Sequence, residues 1–323
     1  RMNHWVMDYE TLSNCFVGVF KHYKTEELKV FVIHELRDDR DAFIKFLRRN
    51  INKREWHISF NGLAFDAQVT HYILDNYADL AHATADEVAR CIYRYAQKTI
   101  TAANNKQFSE YPLWKMSIGQ IDIFKMHHWD NPAKRSGLKW IQYSMDWQNI
   151  LDMPLSHETE IKSQEDIDTI IEYCVNDVES TKEIFNRSKS LISLRKTLTK
   201  EYGINLFSAS EPRISKELFG YYLSRLLNIP KSELKRMRTY RETIKFKDII
   251  LPYINFESPE FNVLLDRFKH VELDPSNLRG GFKYNVNYKG VSTHFGLGGA
   301  HGARQPGVYE SDDEHIIMSS DYT

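Results

Sequence analysis

Residues 5–33 restrict the fold more than any other part of the chain. Trp5-Val6-Met7-Asp8-Tyr9-Glu10-Thr11, Phe16-Val17-Gly18-Val19-Phe20 and Lys29-Val30-Phe31-Val32-Ile33 are rich in β-branched and aromatic residues. Short polar turns separate the three runs, which predicts a meander of hairpins. Asp41 to Leu47 then carries the spacing of an amphipathic helix. Trp56-His57-Ile58-Ser59-Phe60 returns to strand, and Asn61-Gly62 ends it. Strands first, then strand alternating with helix, predicts an α/β fold: a mixed β-sheet with helices packed on it.

Further along, Thr84-Ala85-Asp86-Glu87 is a capping box and predicts a helix through Val88, Cys91, Ile92 and Tyr95. Thr101 to Pro112 reads as a polar loop, Gln120 to Phe124 as a strand, and Asp130 to Gly137 as a basic loop with Lys134 and Arg135. Ser163-Gln164-Glu165-Asp166 opens a long helix whose apolar side runs from Ile167 through Cys174, Val178 and Phe185 to about Lys200. Ser208 to Asn228 reads as another helix, with Pro212 in its first turn. The stretch after Leu278 is glycine-rich and reads as strands and loops.

Composition narrows the class of function. Lys and Arg number 43 against 44 Asp and Glu, a formal net charge of −1. A nucleic-acid site would therefore be a local cleft, using metal ions or clustered cations rather than overall charge. No run approaches a transmembrane span, so no membrane partner is expected. No secretory signal is expected ahead of Asp8. Cys15, Cys91 and Cys174 are widely spaced and form no zinc pattern, which points to a reducing compartment.

Three segments carry candidate chemistry. Asp8 and Glu10 sit two apart on a strand, so both side chains face the same way. Asn61-Gly62-Leu63-Ala64-Phe65-Asp66 lies at a strand-to-helix junction. Tyr173 and Asp177 are four apart and share a helical face. Singly, each has a plainer reading. The strand pair could be solvated, Asp66 could favour a helix dipole, Tyr173 could be core and Asp177 a surface residue. Asp122 reads as a sheet-end or capping residue, and His127-His128 as an ordinary polar pair. The basic run Lys231, Lys235, Arg236, Arg238, Arg241, Lys245 and Lys247 is either a phosphate-tracking surface or a solvated face.

Taken in order, Asp-x-Glu on a strand, Asn-x-x-x-Phe-Asp at a junction and Tyr-x-x-x-Asp on a helix resemble the motif set of the 3′–5′ exonucleases with four acidic residues and a tyrosine. That resemblance implies an RNase H-like exonuclease domain and two divalent ions, Mg²⁺ or Mn²⁺. Hard cations prefer carboxylate oxygen to thiol or imidazole. By resemblance, Asp8, Glu10 and Asp177 hold one ion, Asp8 and Asp66 reach the second, and Tyr173 orients the attacking water. Thr11, Asn61 and Phe65 would touch the 3′ end of single-stranded DNA, and Lys139 would assist the site as a lysine does in protein-primed relatives. From the residues alone, Lys139 is equally an ordinary surface lysine.

Gly298-Gly299, Gly307-x-Tyr309 and Ile316 to Tyr322 resemble the approach to the palm of family B DNA polymerases, where Asp321 would be the first polymerase metal ligand. The resemblance implies an exonuclease domain over residues 1–202, a helical linking or insertion subdomain over 203–275, and the beginning of a polymerase palm over 276–323. The expected activity is proofreading by a phage-like enzyme acting on primer-template DNA in the cytoplasm, a bacterial host's if phage-encoded. Its partners would be the rest of the polymerase: fingers, palm and thumb. A stand-alone RNase D-like exoribonuclease, or a non-catalytic nucleic-acid-binding module, are the competing readings.

Overall fold

A computed structural model describes residues 3–132, 135–237, 239–275, 282–296, 299–303 and 307–318. The chain forms two compact units, Arg1–Lys231 and Ser232–Thr323. In the first, β1 (His4–Leu12), β2 (Cys15–His22) and β3 (Leu28–His34) are the three runs expected from sequence, joined antiparallel. A short β4 (Arg37–Asp38) follows, then α1 (Arg40–Lys53), β5 (Trp56–Ser59), α2 (Asp66–Leu80) and α3 (Ala85–Asn104). The unit continues with β6 (Gly119–Asp122), α4 (Ile123–Met126), α5 (Leu138–Ser144), α6 (Gln164–Arg187), α7 (Lys189–Tyr202) and α8 (Glu211–Leu227). The sheet order is β4-β3-β2-β1-β5-β6, with β5 parallel to β1 and β6 parallel to β5. It is a mixed sheet flanked by helices, as the pattern of strands and helices predicted.

The alternation along β1 decides which way each side chain goes. Trp5, Met7 and Tyr9 enter a core shared with Phe43, Leu47, Val69 and Ile92, from α1, α2 and α3. Val6 enters the opposite core with Ile58, Ile121 and the apolar stripe of α6: Ile167, Ile170, Cys174 and Val178. Asp8 and Glu10 continue Val6's face, so the two carboxylates turn toward α6. Both cores are dominated by fully buried aliphatic and aromatic side chains, at about 25 cal/mol per Å² of apolar area removed from water. The interior strand that bears Asp8 and Glu10 therefore stands between two packed cores.

Several elements differ from the sequence expectation for identifiable reasons. The capping box forms: Thr84 Oγ1 accepts from Glu87 N at 3.3 Å, and Glu87 Oε2 accepts from Thr84 N at 2.7 Å. The helix it starts runs to Asn104, into the stretch expected to be loop, helped by the strong helix formers Ala102 and Ala103. β6 stops at Asp122 rather than Phe124, because Asp122 turns the chain by accepting Lys125 N at 3.2 Å. The long helix divides at Ser188 into α6 and α7. There Ser188 Oγ donates to the Ile184 carbonyl at 2.8 Å, a carbonyl that also accepts Ser188 N at 3.0 Å, and such back-bonding bends helices. Ser163 caps α6 as expected, accepting Asp166 N at 3.1 Å.

In the second unit a helix over Pro259–Lys269 accompanies a three-stranded antiparallel sheet, Lys283–Tyr288, Val291–Gly296 and Gly299–Ala303. Phe268, Phe282, Tyr284 and Phe295 form its aromatic contacts. Of the basic run, Lys231–Leu234 is helical, Ile244–Lys245 is strand, and Arg238 lies outside the described residues. Lys134, Gly298, Ser319, Ser320, Asp321 and Tyr322 also lie outside them. Among the described residues, no helix is long and apolar enough to cross a membrane. All three cysteines are free thiols.

Candidate active site

The three acidic segments, remote in sequence, meet at one end of β1. Asp8 and Glu10 come from the strand, Asp66 from the first residue of α2, and Asp177 from α6. Asp66 is tied to β1 directly, its Oδ1 accepting Tyr9 N at 3.0 Å. Tyr9 is held from the other side by a 2.8 Å hydrogen bond between its hydroxyl and Thr70 Oγ1 on α2. Asp8, Glu10, Asp66, Asn61, Phe65 and Thr11 all line one cleft of about 290 Å³, together with Phe60, Gln97, Ile100 and His157.

Asp177 and Tyr173 approach from α6. Lys139 Nζ on α5 lies 2.5 Å from Asp177 Oδ1 and 4.4 Å from the centre of the Tyr173 ring. Gln142, one helical turn after Lys139, donates to the same Asp177 oxygen at 3.0 Å and to Ser180 Oγ at 2.7 Å. The α5 helix thus supplies one cation and one amide to the Asp177 carboxylate, and Lys139 is no ordinary surface lysine in this fold.

The electrostatics of the cluster follow from burial and like charge. Asp8 is held well above the usual carboxylate range by burial, then by the charges of Asp66, Glu10 and Asp177, with Lys139 opposing. Burial, then the charges of Asp177 and Asp66, push Glu10 up to about 8. Asp66 is pushed up to about 7, mainly by burial. The Tyr173 phenol is raised by burial and by Asp177, Glu10 and Asp8, so its hydroxyl keeps its proton at neutral pH. A group of carboxylates in this condition is what divalent cations relieve. Cys174 Sγ also lies within 4.8 Å of oxygens from Asp8 and Glu10. Its thiol contacts the Asp8 carbonyl at 3.4 Å, and burial pushes its pKa well up, so it remains a neutral thiol beside an oxygen ligand set. The donor set is hard and oxygen-rich, and the residues fit Mg²⁺ or Mn²⁺.

The loop between β5 and α2 is shaped by Asp122. This fully buried carboxylate accepts Asn61 N and Leu63 N, each at 3.0 Å, besides capping α4. It holds Asn61 in the left-handed region, at φ 64°. Gly62 passes so close over Ser59 that a Cβ there would stand 2.0 Å from Ser59 Oγ. Asp122 is thus the capping residue expected, and also the anchor of the Asn61 loop, which the sequence did not reveal. His127 and His128 take ordinary contacts: His127 Nε2 meets Ser188 Oγ at 2.8 Å, and His128 Nδ1 lies 3.4 Å from Asp130.

Sequence reasoning missed Gln142, Cys174 and His157, whose Nδ1 donates to the Thr11 carbonyl at 3.3 Å. Gln142 carried a usable signal, being three residues after Lys139 on a helix. His157 carried none, because its place depends on a long connection crossing the strand end. Compared with known proteins, the chain matches no family model and no curated relative.

Proposed function

We propose that the chain is a metal-dependent 3′–5′ exonuclease acting on single-stranded DNA ends, the proofreading portion of a family B-like DNA polymerase. The observation that carries this reading is the convergence of Asp8, Glu10, Asp66, Asp177 and Tyr173 from three remote segments at one strand end. The sheet order, with three antiparallel strands followed by two parallel ones beside β1, supports an RNase H-like architecture.

In this reading Asp8, Glu10 and Asp177 hold one divalent ion, and Asp8 with Asp66 the other. Bound there, the ions would activate water and stabilise charge on the attacking and leaving oxygens of the phosphodiester. The chain's own residues do the rest. Lys139 and Gln142 fix the Asp177 carboxylate in one orientation. The protonated Tyr173 hydroxyl stands beside the acids, where it can hydrogen-bond and orient water. Asn61 and Phe65 line the cleft where the terminal nucleotides would lie, and aromatic side chains of this kind can stack on bases. The polymerase part of the proposal rests on the resemblance of the segment Gly298 to Tyr322 to the approach to a family B palm.

A 3′-labelled oligonucleotide assay in Mg²⁺ tests the reading. The wild-type chain should shorten single-stranded DNA, and Asp8→Ala with Glu10→Ala should not. Activity surviving in that double variant would sink the assignment. Faster shortening of RNA than DNA would favour an exoribonuclease.

A further inference from the structure

A second cleft, of about 660 Å³, adjoins the acidic one and shares Asn61 with it. Its walls carry Leu63, Phe124, Lys106, Lys125 and Arg135. The two clefts are also joined through aromatic contact. Phe60 lines the first, Phe124 the second, and their ring centres are 5.2 Å apart. The charge reverses between them. The first cleft is lined by the carboxylates of Asp8, Glu10 and Asp66. The second presents three cations against one carboxylate, Asp130, which is bound to Lys125 at 2.8 Å. Lys106 and Arg135 are exposed and have no carboxylate partner among the described residues.

We infer that this second cleft holds the single strand upstream of the 3′ end, with Lys106 and Arg135 taking backbone phosphates. The inference rests on the exonuclease reading and gives that site its substrate length and direction. A polyanion whose terminal phosphate meets metal ions among carboxylates cannot continue across more carboxylate. It can continue over the Asn61 loop, where cations replace acids. Leu63, Phe124 and Pro132 add apolar surface suited to unstacked base faces. The loop pinned by Asp122 then separates the reacting nucleotide from those behind it. Phosphate contacts of this kind give affinity without sequence preference.

The test is fluorescence anisotropy with a labelled 12-mer of thymidylate in Ca²⁺, across a salt series, using the full chain. Lys106→Ala with Arg135→Ala should reduce the slope of log affinity against log salt by about 1.4, at about 0.7 per phosphate contact on a single strand. The same slope implies roughly ten- to thirty-fold weaker binding near 0.1 M salt. Lys45→Ala with Lys53→Ala removes equal charge from α1, outside both clefts, and should leave slope and affinity unchanged. An unchanged slope in the first variant, or an equal loss in the second, overturns the inference. Hydrolysis of a thymidine mononucleotide ester by the wild-type chain in Mn²⁺ reports the metal centre alone. Its failure would count against the exonuclease reading, whereas the anisotropy series decides the cleft in either case.

Discussion

The carboxylate cluster should make the metal-free chain less stable as pH rises above neutrality. Glu10 ordinarily titrates at 4.5 and is pushed up to about 8 by burial and by Asp177 and Asp66. The folded chain therefore keeps a proton that the unfolded chain has lost. Stability falls wherever the folded state binds more protons, by about 1.4 kcal/mol per pH unit and group. Buried histidines act in the opposite direction at lower pH. His57 is pushed down to about 3 and His4 to about 4, so both favour the fold as pH rises toward 6.5. Above 6.5 they are neutral in both states, and the acids alone remain. Between pH 6.5 and pH 8, Glu10 taken by itself should cost about 2 kcal/mol. Asp8 and Asp66 feel the same mutual repulsion, so their contributions overlap with this one rather than adding in full. The assay is urea unfolding in chelator at several pH values from 6.5 to 8.5, for the wild type and Glu10→Gln. The variant should show a shallower fall and be the more stable of the two at pH 8. Adding Mg²⁺ should restore wild-type stability, by about 2.7 kcal/mol at a hundredfold excess over its dissociation constant. A wild-type midpoint that stays level or rises over that range, or a variant with the same slope, would show that Glu10 holds no such proton in the folded chain.

Asp122→Ala removes the acceptor of three backbone N–H groups and should lower unfolding free energy by about 3 kcal/mol, at about 1 kcal/mol for each bond. The same variant should weaken single-strand binding, because Asn61 loses its anchor; denaturation and anisotropy measure the two effects. Gly62→Ala should destabilise by about 1–3 kcal/mol through the clash with Ser59, and Ser59→Gly should recover much of the loss in thermal melts. Tyr173→Phe should keep metal and DNA affinity but slow hydrolysis by about 10²-fold, as seen in single-turnover assays; unchanged turnover would remove its orienting role.

The β1–β3 meander, the capping box of α3, the start of α6 and the candidate residues for the chemistry were legible along the chain. Those features are local: β-strand alternation, helical spacing and side-chain caps act within a few residues of chain. Even the common face of Asp8 and Glu10 follows from the period of a strand. Local pattern failed where a tertiary contact overruled it. Asp122 ends β6 because its carboxylate is committed to Asn61, Leu63 and Lys125. That Lys139 faces Asp177, that Gln142 joins it, and that an acidic cleft opens beside a cationic one emerged from the folded chain and not from any local pattern. These depend on how α5 and α6 pack across the sheet, and on where the Asn61 loop lies. Distances between segments more than a hundred residues apart are set by the core beneath them, not by any pattern within each segment.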